Sequence, residues 1–283
     1  MIKTTIAISL MLLFQTSCVQ SQKNGPLGKE DRLSQTVKKQ KKTNHSTACL
    51  SDDIIFGSSE MISETEKIAI TFSGVSISAQ EENKFGDDTF KELKSKNDYT
   101  FITSGNQYQA LQHMLNDLLL TRNKKSGLTY TIHLIKDETV NAFTAGGHIY
   151  ITTGIIEYAD SESAVAAIVG HEIGHNEKGH LNMLLKKMKL ANGILPGSGQ
   201  IGVGMQQFIS PFFNQVNEIE ADFYGIDMCI AAGYDAREGL GLWKRMAEKE
   251  SKKNPVESFL RSHPYSNDRH NCIKSYLKKS YSI

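Results

Sequence analysis

The chain has 283 residues, with 32 Lys and Arg against 31 Asp and Glu, for a formal net charge of +1. That balance exerts no long-range pull on nucleic acid, and a hydrophobic share of 39% is ordinary for a globular protein. No repeat at solenoid or propeller spacing is visible, and the length suits one large domain or two small ones.

The first 18 residues stand apart. Lys3 precedes an apolar run from Ile6 to Phe14, followed by Gln15-Thr16-Ser17-Cys18, which is the pattern of a secretory signal. The run is too short to span a bilayer, which takes about 20 residues. Cys18 after Thr-Ser resembles the lipobox of bacterial lipoproteins, although Gln15 stands where that pattern has Leu. The resemblance implies lipid attachment at Cys18, with two or three acyl chains as a stable membrane anchor. Residues 19–48 contain QSQKNG, KEDR and KKQKKTNH and have too little apolar surface to fold. They read as a disordered tether, in which Lys38, Lys39, Lys41 and Lys42 face solvent or anionic headgroups. Residues 49–283 form the folded domain, with 49–103 its least legible part. Of the four cysteines, Cys18, Cys49, Cys229 and Cys272, one bridge such as Cys229–Cys272 suits an exported protein, but spacing does not fix the pairing. No Cys-x-x-Cys knuckle is present.

Further along, Ile68–Ser73 and Val75–Ser78 alternate like strands, and Asp87 opens a short helix. Ala110, Leu111, Met114, Leu115 and Leu118 recur at helical spacing over 107–120. Thr129–Ile135 and Gly147–Thr153 alternate and are β-branched, so both read as strands. Asp160 or Ser161 caps a long helix expected to run to about Ala191. Gly197, Gly199 and Gly202 spell a G-x-G-x-x-G, but a helix and Pro196 precede it where a nucleotide site needs a strand. No nucleotide site is expected there. Helices follow at 211–232, 236–249, 256–262 and 267–279. Strands first and helices after argue an α+β fold, mostly helical, with a small mixed sheet.

The chemistry concentrates at 169–180, VGHEIGHNEKGH. His171 and His175 project from one helix face, one turn apart, where two imidazoles can grip one Zn²⁺. Glu172, about 100° round the helix, can act on a water at the ion without binding it. His180 is rotated off that face, which suits a supporting role. The third ligand is then a carboxylate downstream. Glu218 and Asp222 share a face at four-residue spacing, so one can bind the ion and the other can accept a ligand histidine's free N–H. On spacing alone Glu220 is an equal candidate.

HEIGH at 171–175 and NEIEAD at 217–222 resemble the HtpX and CAAX-prenyl-protease family of zinc metalloendopeptidases in its small minigluzincin form. NAFTAGGHIYITTG at 141–154 and SHPYSNDR at 262–269 resemble two further segments of that family, and the likeness runs from Gln107 to Leu277. It implies a zincin-like domain with the sheet beside the metal helix and one Zn²⁺ on His171, His175 and Glu218. It further implies Asp222 behind the ligands and Glu172 as general base. His263 and Arg269 are the candidates for a donor to the developing oxyanion. The strand with Gly147, His148, Ile149 and Tyr150, together with Asn141, is expected to receive an extended peptide. Family precedent points to unfolded or misassembled envelope proteins as substrates, at a lipid-anchored periplasmic site on the outer rather than the inner membrane. The chain departs from the family at Thr144-Ala145, where Leu-Pro is usual, and at His270, where an aliphatic residue is usual. A non-catalytic, zinc-stabilised chaperone is the alternative, and the intact Glu172 argues against it.

Overall fold

The computed structural model describes residues 38–43, 45–50, 64–95, 99–123, 125–192, 213–248, 259–260, 263 and 267–283. The signal-like segment, Cys18, the tether up to 37 and the 197–202 glycine motif lie outside the described residues. The expected α+β class holds: helices dominate and four short strands form one mixed sheet.

The first helices are α1 (Glu64–Phe72) and α2 (Ala79–Ser95). The strands expected at 68–73 and 75–78 are therefore not there. Alternation would put Ile68, Ile70 and Phe72 on one face, yet Ile70 is 3% exposed while Ile68 and Phe72 are 57% and 84% exposed. Only Ile70 turns inward, as helical geometry dictates. Lys187 closes an ion pair to Glu66 across α1 and α6 at 2.9 Å.

Strand β1 (Phe101–Ile102), helix α3 (Asn106–Thr121) and strands β2 (Thr131–Ile135), β3 (Ala142–Ala145) and β4 (His148–Thr152) follow. The sheet order is β1-β2-β4-β3, with β2 and β4 parallel and the outer pairs antiparallel. Strand β4 is thus paired on both sides, and β3 and β1 are the two edges.

After α4 (Thr153–Ala159), helix α5 (Glu162–Glu177) starts at Ser161, whose hydroxyl caps Ala164 N at 3.1 Å. The single helix expected to about Ala191 is in fact two, α5 and α6 (His180–Asn192). Gly179 breaks it with φ +74°, a conformation that costs glycine little. Then come α7 (Gln215–Ala231), α8 (Ala236–Glu248) and α9 (Asn267–Tyr281). The main core joins Leu111, Leu118, Ile149, Ile168, Phe223 and Leu242 from α3, β4, α5, α7 and α8. A smaller core under α2 holds Leu93, Ile135, Phe143 and Tyr150 on the opposite sheet face.

Two expectations about the N-terminal part change. Residues 38–48 do not behave as tether, because Lys38 N and Gln40 N bond Ala231 O and Thr121 O, each at 2.9 Å. His45 Nε2 lies 2.8 Å from the buried Asp227, which also accepts from Tyr276 and Tyr281. Lys39 and Lys41 end on the carbonyls of Leu120, Arg122 and Ser280, so the folded part begins no later than Lys38. The disulfide joins Cys49 to Cys272 with Cα atoms 5.4 Å apart, not Cys229 to Cys272. Cys229 is buried and faces the α5–α7 crossing at Gly170.

Candidate metal centre

Helices α5 and α7 cross at a contact made of small residues. A Cβ on Gly174 would lie 2.5 Å from Ala221 O, and one on Gly225 would lie 2.7 Å from Gly170 C. Backbone therefore meets backbone, and this close approach brings the HEIGH turn against Glu218 and Asp222. His171, His175, Glu218 and His263 each aim one ligand-type atom into a space where all four lie within 4.8 Å of one another, and all four are buried.

The pairwise geometry is tight. His171 Nε2 and His175 Nε2 are 3.0 Å apart. Glu218 Oε2 is 3.4 Å from His171 Nε2, and its Oε1 is 3.3 Å from His175 Nε2. His263 Nδ1 is 3.1 Å from His171 Nε2. Facing lone pairs of this kind repel unless something positive sits among them, and nitrogen and carboxylate donors of this number are those zinc takes. Among the described residues both oxygens of Glu172 are buried without a hydrogen-bond partner, with His263 Nε2 at 3.4 Å from Oε1. Buried polar atoms left this way are rare and point to a missing occupant. The residues present fit a zinc ion.

Each helix-borne histidine is backed on its other nitrogen. His171 Nδ1 donates to Asp222 Oδ1 at 2.8 Å. Arg269 grips Asp222 through Nε at 2.6 Å and Nη2 at 2.9 Å, and reaches Glu218 through Nη1 at 2.8 Å. His175 Nδ1 meets His180 Nδ1 at 2.9 Å, and His180 Nε2 meets Glu220 Oε2 at 3.2 Å. Partners of this sort fix tautomer and ring orientation. Phe213 stacks on His175 at 3.9 Å, and Trp243 sits 5.5 Å from His171 and 5.4 Å from Arg269.

Electrostatics follow from burial and from these partners. Burial pulls His171 down, but Glu218 and Asp222 overcome it and raise the imidazole to about 9. Burial and the neighbouring His171 hold His175 well below the ordinary range, against Glu218. Burial pushes Glu218 up, yet His263, Arg269, His175 and His171 together hold it well below. Glu172 is raised, chiefly by burial.

The expected site residues fall into two groups. His171, His175, Glu218, Asp222 and His180 converge as described, and Glu172 borders them. Glu220, two residues from Glu218 and thus on another helix face, backs His180. His263 lies among the possible ligands rather than beside them. The Arg269 guanidinium is turned to Asp222 and Glu218, an arrangement in which it positions both acids. The peptide-binding assignment of β4 is also corrected. With β2 and β3 on either side it has no free edge. His148 turns to His133 and Asp87 on the far face, Ile149 is buried in the core, and Tyr150 stacks on Phe143 at 4.5 Å. Gly147, at φ +88°, serves the β3–β4 turn. Asn141 precedes the edge strand β3, with its Oδ1 buried and without a partner among the described residues. Reasoning from sequence missed Phe213, for which no local pattern speaks, and weighed Glu220 only as a ligand, whereas it backs His180.

Comparison with known proteins gives a consistent result. The model of peptidase family M48 matches residues 106–277. The chain is 26% identical over 214 residues to mitochondrial metalloendopeptidase OMA1 of Schizosaccharomyces pombe, covering 72% of this chain and 63% of that one. It is 25% identical over 219 residues to the beta-barrel assembly-enhancing protease of Yersinia pestis, covering 70% and 44%. Against OMA1 of Saccharomyces cerevisiae it is 26% identical over 171 residues, covering 56% and 50%. The chain thus spans less than two thirds of the length of these relatives. No described helix is long and apolar enough to cross a membrane.

Proposed function

The chain belongs to peptidase family M48, and on that premise we propose that it is a zinc-dependent endopeptidase of the bacterial cell envelope. The observation that carries this reading is the pairing of a convergent His171–His175–Glu218–His263 donor set with a buried carboxylate, Glu172, whose two oxygens have no hydrogen-bond partner among the described residues. A purely structural ion needs no such carboxylate, so the chaperone alternative is disfavoured. The four motifs quoted above support an HtpX-like, minigluzincin form of the family.

His171, His175 and Glu218 would hold the zinc. The bound ion would supply Lewis acidity, which lowers the pKa of water and stabilises developing negative charge. Glu172 takes the proton of the attacking water on a carboxylate oxygen and later delivers it to the leaving amine. Asp222 and His180 keep the two imidazoles turned with Nε2 inward, and Arg269 holds Asp222 and Glu218 in place. Four protein donors would close a tetrahedral ion, whereas a catalytic one keeps a position for water. His171, His175 and Glu218 would then be the ligands, and His263, whose Nε2 is 3.4 Å from Glu172 Oε1, would border the position left for water. The substrate adds as an extended strand along β3, close to Asn141. Relatives named as a metalloendopeptidase and as a β-barrel assembly-enhancing protease support unfolded or misassembled envelope proteins as substrates. The Cys18 context supports lipid anchoring on the periplasmic face, at the outer membrane.

The test is zinc content together with casein cleavage for the wild type, Glu218→Ala and Glu220→Ala. One zinc and cleavage in the wild type, both lost in Glu218→Ala, and weakened zinc retention in Glu220→Ala is the expected pattern. Full zinc and activity in Glu218→Ala would overturn the ligand assignment.

A further inference from the structure

A buried polar bridge joins the metal helix to the edge strand. Asn176 Nδ2 donates to Thr144 Oγ1 at 2.7 Å and to Glu172 O at 3.2 Å. Thr144 Oγ1 in turn donates to His148 O at 3.0 Å. The bridge therefore runs from the backbone of Glu172, through Asn176 and Thr144, to the carbonyl on β4 that follows the β3–β4 turn. Asn176 and Thr144 are both buried.

The hydrogen inventory fixes the direction of this bridge. An amide nitrogen has two hydrogens and a hydroxyl has one. Both Asn176 hydrogens and the Thr144 hydrogen are committed. Flipping the amide would set its oxygen against the Glu172 carbonyl, so the orientation follows from the network. Asn176 Oδ1 is buried with no hydrogen-bond partner among the described residues. The antiparallel ladder already holds β3 against β4; the Asn176–Thr144 bond ties that pair to α5, a directional contact that the apolar Ala142, Phe143 and Ala145 do not supply. The partner hydroxyl comes from Thr144-Ala145, where this chain departs from the Leu-Pro of the family it resembles. Leu has no hydroxyl to offer.

We propose that Asn176, acting through Thr144, is a positioning residue that holds edge strand β3 in register with Glu172, so that a peptide added to β3 brings its scissile carbonyl to the site. The proposal rests on the protease reading and on β3 as the receiving strand.

The test compares the full chain as wild type, Thr144→Ser, Thr144→Val and Asn176→Ala. Zinc content and amide hydrogen exchange of Ala142–Ala145 are read on each, and exchange is repeated on the metal-free protein. Kinetics use a series of peptides of increasing length. In Thr144→Val and Asn176→Ala, exchange in β3 should quicken about tenfold while that of α3 stays unchanged. Their kcat should fall on the order of 100-fold, with zinc retained and KM for the shortest peptide unchanged, as for a misplaced reacting group. The rate gained by lengthening the peptide should disappear. Thr144→Ser, which keeps the hydroxyl, should match the wild type. Wild-type exchange and kcat in Thr144→Val, or equal damage in Thr144→Ser, would overturn the proposal. If the wild type cleaves nothing, the protease reading fails, and β3 exchange in the metal-free variants still decides whether the bridge holds the strand.

Discussion

Replacing Gly174 by alanine tests whether the α5–α7 crossing sets the metal site. The new Cβ would lie 2.5 Å from Ala221 O and 2.8 Å from Ala221 Cα, roughly 1 Å inside van der Waals contact. Both atoms are backbone, so the helices must part by about that much. Glu218 lies one turn before Ala221 on α7, with its oxygens 3.3 and 3.4 Å from the two imidazole nitrogens. Ligand distances tolerate only about 0.2 Å, so a parting of this size removes Glu218 from the donor set. Alanine recovers roughly 1 kcal/mol of helix propensity over glycine, against about 1–3 kcal/mol for overpacking. The metal-free variant should therefore lose at most a few degrees of Tm, while zinc retention against a chelator drops tenfold or more. Calorimetry of the metal-free protein and zinc analysis after dialysis separate the two effects. Undiminished zinc affinity and kcat in Gly174→Ala would refute the claim that this contact spaces the ligands.

Glu172→Gln should keep zinc and lose cleavage by about 10²–10⁴-fold; casein cleavage near the wild-type rate would remove Glu172 from the mechanism. His133, lowered to about 3 by burial and then by His148, is neutral in the fold but takes up a proton near pH 6.5 when unfolded. Stability should then be untouched above pH 7 and fall as pH drops from about 6.5 toward 3, by at most ~1.4 kcal/mol per pH unit. Urea unfolding of the wild type and His133→Asn at pH 7.5 and pH 5 reads this, and an equal difference at both pH values would contradict it. Reducing the Cys49–Cys272 bond, whose ends are 223 residues apart, should cost up to about 5 kcal/mol in the chain-entropy view, seen as a drop in Tm with reductant. An unchanged Tm would show that the docked N-terminal segment around Lys38–Gln40 holds without it.

What could be read from sequence was local. His171 and His175, and likewise Glu218 and Asp222, sit four apart on helices, and helical geometry alone puts each pair on one face. Choosing Glu218 over Glu220 needed the family likeness, because the two differ only in which neighbour each meets across the crossing. The sheet went wrong where pairing is non-local: nothing in HIYIT says that β4 is flanked on both sides, and a fully buried strand hides its neighbours. Ile68, Ile70 and Phe72 mimic a strand because three spaced apolar residues carry no unique period. Gly179 ended a helix that apolar spacing would have continued. His263 reaches the site from 45 positions beyond Glu218, a distance at which no periodicity operates.

The Cys49–Cys272 bond closes a covalent ring. The ring encloses α5 and α7, which hold three of the four convergent donors, and the stretch 193–212 that links α6 to α7 lies within it. A single peptide-bond cut in that stretch opens the ring into two segments still joined by the disulfide and does not split the molecule. His171 and His175 would stay tethered to Glu218 through the disulfide, at an effective concentration that favours re-docking. A molecule nicked once by a neighbouring protease, or by a copy of itself, would thus travel as one band until a reductant is added.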